Sequence, residues 1–469
     1  MIEGLKPYAE YKESNIPWAR ELPSGWQTER AKRLFTKMQR PVRPEDEVVT
    51  CFRDGMVTLR KNRRLRGFTE ATVESGYQGI RKGDLVIHGM DAFAGAIGVS
   101  DSDGKGTPVY NVCQPRPGVI ARYYAHTVRE MSRAQWILAL AKGIRERSTD
   151  FRYEMFGNQF VPLPPPDEQA AIVRFLDHAN RKIDGFIRAK RKLIGLLNEQ
   201  KQAIIHRAVT RGLDPDVPHK PSGIPWLGDI PAHWEVRQVR RATTFVTSGS
   251  RGWANFYSDD GLVFIQSGNL GRNMALNFSY TQYVRPPSGA EGERTRVHRD
   301  DILICITGAL TGNVVHVDQY LPGQSFVNQH VALVRVRKNT VRPRFLAFAL
   351  RSEIGQGQFK TSEYGGTKQG LGLGDVKDVY FPLPSLIEQD AIIEHIDSFL
   401  AVFNTAITRT EREIALMQEY RTRLTADIVT GKLDVREAAA RLPNLPTEPR
   451  VDEALEDTDI LDETESEES

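Results

Sequence analysis

The segment PLPPPDEQAAI begins at Pro162, and a near-copy, PLPSLIEQDAI, begins at Pro382, 220 residues further on. That distance is too long for a solenoid unit, whose period runs roughly 20–50 residues. It constrains the chain to a duplication on the scale of a domain. Downstream, Glu168, Gln169, Ile172, Asp177, Ile187, Glu199, Val209, Thr210, Leu213 and Asp214 reappear at the same offset as Glu388, Gln389, Ile392, Asp397, Ile407, Glu419, Val429, Thr430, Leu433 and Asp434. Upstream, Ile16-Pro17-Trp18, Pro23 and Trp26 match Ile224-Pro225-Trp226, Pro231 and Trp234 at an offset of 208. The second copy therefore holds 12 more residues between its matched ends. The chain reads as a tandem duplication with a variable middle.

After each proline segment the pattern turns helical. Ser385 and Glu388 form an S-x-x-E capping box, while Pro166 and Asp167 supply the proline and acid favoured in a first turn. A 3-4 spacing then runs through Gln169, Val173, Leu176, Asn180, Ile183, Ile187, Lys190, Ile194, Leu197, Lys201, Ile204 and Ala208. Its counterpart is Gln389, Ile393, Ile396, Leu400, Phe403, Ile407, Thr410, Ile414, Met417, Arg421, Leu424 and Ile428. The apolar majority predicts a coiled-coil seam. Gln169/Gln389, Lys190/Thr410 and Lys201/Arg421 interrupt it at equivalent places, where polar residues are expected to fix register. Two such arms, each roughly 60–65 Å long at 1.5 Å per residue, predict an antiparallel pair related by a pseudo-two-fold axis. The link AVTRGLDPDVPHKPSGIPWLGDIPAHW is split between the two ends of the chain in the other copy, so the N-terminus is expected near residue 434.

Residues 27–161 and 235–381 read as mixed α/β domains with many short strands, which makes the fold class α/β (α+β). RKGDLVIHGMDAFAGAIGV (81–99) and HRDDILICITGALTGNVVHV (298–317) share a skeleton at an offset of 217, pairing Asp84 with Asp301, Gly95 with Gly312 and Asn111 with Asn328. The flanking segments are 1–26, the arms 162–213 and 382–434, the repeat linker 214–234 and a terminal stretch 435–469.

Charge narrows the partner. Residues 441–469 hold eleven acids and two arginines, so the formal net charge of +3 hides a body of +12 and a tail expected to be disordered and solvated. A basic body suits an anionic partner such as nucleic acid. In the first domain Arg60, Lys61, Arg63, Arg64 and Arg66 are candidate DNA contacts, and in the second Arg251, Asn269, Arg272, Asn273, Lys368 and Gln369 are. Arginine can read guanine and amides can read adenine in the major groove. Trp18 and Trp226, equivalent in the repeat, are candidate protein-docking residues.

No phosphate-loop, dinucleotide or amino-methylase signature appears, the histidines lack ligand spacing, and Cys51, Cys113 and Cys305 are isolated. No catalytic residue and no metal ligand is therefore assigned. No apolar stretch is long enough to cross a membrane and no signal-peptide core is evident, which leads to a cytoplasmic expectation.

With its duplicated proline–helix and IPW…W segments around two variable domains, the chain resembles the specificity subunits of type I restriction–modification systems over residues 8–434. The resemblance implies that each variable domain reads one half of a bipartite double-stranded DNA site. It implies that the helices set the spacer and dock two methylase subunits, with restriction/translocase subunits completing the complex. S-adenosylmethionine, ATP and Mg²⁺ would belong to those partners, with no cofactor in this chain. The acidic tail departs from the repeat pattern. A coiled-coil scaffold that reads no DNA, or a methylase or nuclease with its own active site, are the alternatives.

Overall fold

The computed structural model describes residues 5–63, 75–141, 150–224, 226–249, 252–271, 273–285, 290–318, 321–362 and 370–443. Arg64, Arg66, Arg251, Arg272, Lys368, Gln369 and the acidic tail beyond residue 443 lie outside them. The chain forms two compact units, residues 1–189 with 413–469, and residues 190–412.

The first unit holds strands β1 (Gln27–Arg30), β2 (Phe35–Met38), β3 (Leu85–His88), β4 (Ile97–Val99), β5 (Tyr110–Pro115) and β6 (Phe160–Leu163). Helix α1 (Ala121–Arg133) follows the sheet, and α2 (Pro166–Arg211) starts beyond β6. Strands β2-β5-β3-β4 make an antiparallel sheet in that order. Leu85, Val86 and Ile87 are buried on both faces, which explains their unbroken apolar run. On α1, Tyr123, Tyr124, Val128 and Met131 turn inward at helical spacing. Apart from this sheet, β1 and β6 form a two-stranded ribbon with Thr28 opposite Pro162. A proline that cannot donate to a ladder is tolerated on such an edge.

The second unit repeats the plan with β7 (Glu235–Gln238), β8 (Thr243–Ser248), β9 (Ile302–Cys305), β10 (Val314–His316), β11 (Val331–Val336) and β12 (Tyr380–Leu383). Helix α3 (Pro343–Arg351) corresponds to α1, and α4 (Leu386–Val429) to α2. The sheet order is β8-β11-β9-β10, and the β7–β12 ribbon places Val236 opposite Pro382 in the register of its counterpart. A further four-stranded sheet built from Tyr257–Ser258, Gln282–Val284, Leu262–Ile265 and Ser325–Val327 enlarges this domain.

The shared skeleton holds in part. Asp84 accepts from the Arg81 backbone N–H at 2.8 Å and takes Arg40 through both oxygens at 2.5 and 3.1 Å. Asp301 does the same with the His298 N–H at 2.7 Å and Arg335 at 2.8 Å twice. Gly95 and Gly312 both sit at positive φ, 93° and 85°. The expected match of Asn111 with Asn328 fails. Asn111 lies opposite Ile87, whereas Ala332 lies opposite Ile304, so Ala332 is its counterpart. Additional residues between β10 and β11 shift the offset, and Asn328 precedes the strand altogether.

Helices α2 and α4 run 46 and 44 residues. Every seam position predicted in either arm is buried or half-buried. In the first unit the start of α2 packs on the end of α4, with Ile172, Phe175 and Leu176 joining Leu424, Ile428 and Val429 in one core. In the second the end of α2 meets the start of α4 through Ile205, Ala208, Val209, Ile392 and Ile396. The pair is antiparallel in both. Lys201 and Arg421 do reach across it, to Asn404 and Asp184 respectively. Gln169 and Gln389 do not. They face their own domains.

Three side chains at the start of each helix bind the domain to it. Glu168 accepts from Trp26 Nε1 at 2.9 Å and from the Tyr8 hydroxyl. Glu388 accepts from Trp234 Nε1 at 3.2 Å and His233 Nε2 at 2.6 Å. Gln169 Oε1 accepts from the Ile120 N–H at 3.0 Å and its amide donates to Pro164 O at 2.9 Å. Gln389 repeats this with the Arg342 N–H at 2.7 Å and Pro384 O at 2.9 Å. Asp177 and Asp397 receive bidentate bonds from Arg122 and Arg344, each near the start of its domain's sheet-packed helix.

Each long helix ends on a left-handed glycine, Gly212 (φ 73°) and Gly431 (φ 75°). The Trp234 ring lies against the first. Pro23 and Trp26 lie against the second, where a Cβ would stand 2.4 Å from Pro23. The N-terminal segment thus completes the end of α4, and the Asp434 N–H donates to Lys6 O at 2.7 Å, in accord with the expected closeness of the N-terminus to residue 434.

The Glu388 clamp makes stability depend on pH. Burial raises its carboxyl, but hydrogen bonds from His233, Ser385 and Trp234 outweigh that and bring it down to about 2. A depressed carboxyl stabilises the fold above its unfolded value of 4.5, and that contribution disappears as pH falls through about 2. Thermal unfolding across this window should show a steeper acid-side loss for the unaltered chain than for Glu388→Gln; identical slopes would remove the clamp from the stability of the fold.

Candidate nucleic-acid interface

The two domains present equivalent sheet ends carrying unlike side chains. In the first, β3 ends at His88 and the next residue, Gly89, is held by two backbone bonds: its N–H donates to Val109 O and its carbonyl accepts from the Phe151 N–H, both at 2.9 Å. In the second, Ile306 follows β9 and makes the same bonds with His330 O at 2.9 Å and the Leu371 N–H at 2.8 Å. The frame is the same. Its occupants differ.

Beyond Gly89 come Met90, which is exposed, and Asp91, which pairs with Arg53 at 3.2 Å. His88 Nδ1 accepts from the Met90 and Asp91 N–H groups at 3.2 and 3.1 Å, and burial holds its pKa down despite Asp91. It is a neutral brace for this turn. Beyond Ile306 comes Thr307, whose hydroxyl meets His330 Nδ1, and just before β11 the Gln329 amide donates to His330 Nε2 at 3.1 Å. Donors and acceptors grouped this way are suited to base edges in a major groove. Composition and motif did not single out Thr307, Gln329, His330 or Met90. The available signal was their position just past the apolar runs of β9 and β3 and just before β11.

The predicted DNA contacts that the structure describes fall into different settings. Arg60 and Lys61 lie on a single 3-10 turn, Arg60–Asn62, after the hairpin of Val49–Cys51 and Val57–Leu59, and Arg63 follows it. Lys61 pairs with Glu47 at 2.5 Å; Arg63 pairs with Asp54 at 2.6 Å and covers the Phe52 ring at 4.5 Å. Arg60 Nε reaches Thr50 Oγ1 at 3.4 Å. These three cations are brought together. Asn269 is 6% exposed, and its carboxamide is fully engaged: it accepts from the Gln266 N–H at 2.9 Å and donates to Asn277 O at 3.0 Å and Tyr280 O at 2.8 Å. It braces the loop that exposes Tyr280 rather than offering its own amide to solvent. Asn273 is turned toward α2, where its Oδ1 accepts from Lys201 at 3.3 Å.

The two candidate docking tryptophans also differ. Trp18 is half-buried against the first unit's core. Trp226 is 51% exposed and lines a cleft of about 710 Å³ with His206, Glu353, Gln358 and Tyr380.

The described residues include all three cysteines. The three thiols are buried, and burial pushes Cys51 up to about 12 and Cys305 up to about 11. No group of three or more His, Cys, Asp or Glu side chains there could hold a metal ion. No helix there is long and apolar enough to cross a membrane.

Residues 288–416 match the family model described as the type I restriction modification DNA specificity domain. The chain is 24% identical over 212 residues to the StySPI specificity subunit of Salmonella potsdam, covering 44% of each chain. It is 22% identical over 289 residues to the MjaVIII specificity subunit of Methanocaldococcus jannaschii, covering 60% of this chain and 64% of that one. The match thus spans less than half of the first relative and under two thirds of the second. A solved chain from work on complex assembly and conformational transition of the type I R-M system superposes with a TM-score of 0.62 at 14% identity, covering 87% of this chain and 98% of that one. With two equivalent domains, each clamped to the long helices, the chain has a fold similar to that of the solved chain, and residues 288–416 carry its similarity to the DNA specificity domain of type I restriction modification.

Proposed function

We propose that this chain is the DNA-recognition component of a type I restriction–modification complex, with residues 27–161 and 235–381 each reading one half of a bipartite duplex site. The observation that carries the reading is the pair of equivalent sheet ends, held by the same backbone bonds and the same clamps but furnished with different side chains. A shared frame with divergent occupants is what two independent readers on one chain require. Helices α2 and α4 set the spacer between half-sites and dock two methylase subunits. The chain binds no cofactor in this reading; S-adenosylmethionine belongs to the methylase subunits, and ATP and Mg²⁺ to restriction/translocase subunits. Such a complex works in the cytoplasm on duplex DNA.

Replacing Arg60, Lys61, Arg63 and Arg64 by alanine in the assembled complex should weaken duplex binding and flatten its salt dependence. The log–log slope should fall by up to about 0.9 for each phosphate that the variant no longer neutralises. The Lys61–Glu47 pair does not oppose this, since a solvent-exposed pair is worth at most about 1 kcal/mol, while Arg63, packed on Phe52 and paired with Asp54, is expected to contribute less than Lys61. An unchanged slope places these residues away from DNA.

The exposed Trp226 is the stronger docking candidate of the pair. Trp226→Ala should keep its melting temperature and lose methylase stoichiometry in native mass spectrometry, whereas Trp18→Ala should melt earlier. A Trp226→Ala chain that assembles normally excludes the docking role.

Inserting one heptad into both α2 and α4 at equivalent seam positions preserves the 3-4 register and adds about 10 Å. At roughly 3.4 Å per base pair the preferred spacer should lengthen by about three base pairs with unchanged half-sites. The added DNA rotates one half-site by roughly 100°, so affinity is expected to fall as well. Methylome mapping reads the outcome, and an unaltered spacer means that the helices do not set it.

A further inference from the structure

The sheet that enlarges the second domain ends beside Thr307, Gln329 and His330. Ile265 pairs with Val327 in parallel register, and the Asn328 N–H donates to Ile265 O at 2.9 Å. Only Asn328, Gln329 and His330 then separate Ser325–Val327 from the start of β11. On the other side of Leu262–Ile265, Gln282 lies opposite Phe264 in antiparallel register, so Tyr280 and Thr281, which precede it, reach the same end. The backbone at Tyr280 therefore lies two strand spacings, about 10 Å, from the Asn328–His330 corner.

The loop that carries Tyr280 is fixed from within. The Asn269 amide grips Asn277 O and Tyr280 O, and its own carbonyl accepts from the Asn277 N–H at 2.8 Å. Asn277 Oδ1 accepts in turn from the Ser279 N–H at 3.0 Å. Phe278 packs on the domain core, whereas Tyr280, two residues on, is 73% exposed. Tyr257 is exposed as well, and its hydroxyl accepts from Gln266 Nε2 at 3.2 Å, just past the same strand end. A single exposed aromatic is ordinary on a protein surface. This one stands on a braced loop beside a cluster of polar groups suited to base edges. A tyrosine held in this way gives a large contact area at little cost in conformational entropy, because its backbone is already ordered.

We propose that Tyr280 is a base-contacting, specificity-determining residue of the second domain, its ring packing on a thymine methyl in the major groove next to the bases met by Thr307, Gln329 and His330. The inference rests on the reading of this domain as a DNA reader. Among the features of base edges in that groove the thymine C5-methyl is the apolar one, so an aromatic ring discriminates in its favour, while hydroxyl, amide and imidazole groups address the polar edges. The two domains then meet DNA by different chemistry. The first offers the cations Arg60, Lys61 and Arg63, and the second adds an aromatic contact that neutralises no phosphate.

The test uses the assembled complex, a duplex carrying the site found by methylome mapping, and a set of its single-base variants. Tyr280→Ala, at an exposed position, should keep the melting temperature and weaken binding to the mapped site about tenfold, within the range of one lost base contact. The preference for thymine at one position of one half-site should disappear, with the other half-site read as before. The log–log salt slope should stay unchanged, because no phosphate charge is released. Tyr280→Phe, which keeps the ring, should bind and discriminate like the unaltered chain. Unchanged affinity and preference in Tyr280→Ala, on a duplex that the complex still binds, overturns the role of Tyr280 and leaves the DNA reading standing. An equal loss on every duplex variant places the ring on the DNA backbone and overturns the base contact. An unaltered complex that shows no salt-dependent duplex binding overturns the DNA reading itself, and this inference with it.

Discussion

The structure depends on how two consecutive polar side chains leave the first turn of each long helix. Glu168 and Glu388 take the indole N–H of Trp26 and Trp234, and Gln169 and Gln389 take the backbone N–H at the entry to α1 and α3. Hydrogen bonds to charged groups contribute roughly 1.5–3 kcal/mol each, and leaving a buried partner unpaired costs about 1–3 kcal/mol. The two residues point to different neighbours, one to the ribbon segment and one to the domain's helix. A ribbon that runs directly into a helix could otherwise pivot on its short connection. The clamp removes that freedom, and the Asp177–Arg122 and Asp397–Arg344 bonds add a further attachment along the helix.

This arrangement separates what must be constant from what can vary. Ribbon register, clamp residues, buried turn aspartates and sheet order are held in common between the units. The second domain nevertheless accommodates an additional sheet, and the sheet ends carry Met90 and Asp91 in one case and Thr307, Gln329 and His330 in the other. Insertions are tolerated because they enter between strands, where loop length costs little entropy, and do not touch the clamps. Arg40 and Arg335 illustrate the same latitude: they neutralise equivalent aspartates from different places, the first just beyond β2 and the second within β11.

Much of the framework was legible in the residues. The twin offsets located both helices and the duplicated segments that flank them, and the 3-4 spacing identified the buried face, since apolar periodicity reports which side of a helix leaves water. The candidate DNA-binding side chains were less legible. Arg60, Lys61 and Arg63 do gather at one turn, because they are neighbours in sequence. Asn269 has the composition of a base reader, yet its amide is consumed by its own loop, and Gln169 has the spacing of a seam residue, yet turns to its domain. Polar side chains carry no periodic signal of their destination. Their partners are set by backbone groups far away in the chain.

The sequence by itself determined the duplication, the two helices, their seam and the closeness of the N-terminus to residue 434, because each follows from local periodicity or from a repeat counted along the chain. Tertiary structure alone decided that Ala332 rather than Asn328 answers to Asn111, since strand register depends on cross-strand pairing. It alone decided that Thr307 and His330 meet, and that Lys201 meets Asn404. These are long-range contacts, fixed by packing and by the pairing of buried polar groups, and no spacing within a segment encodes them.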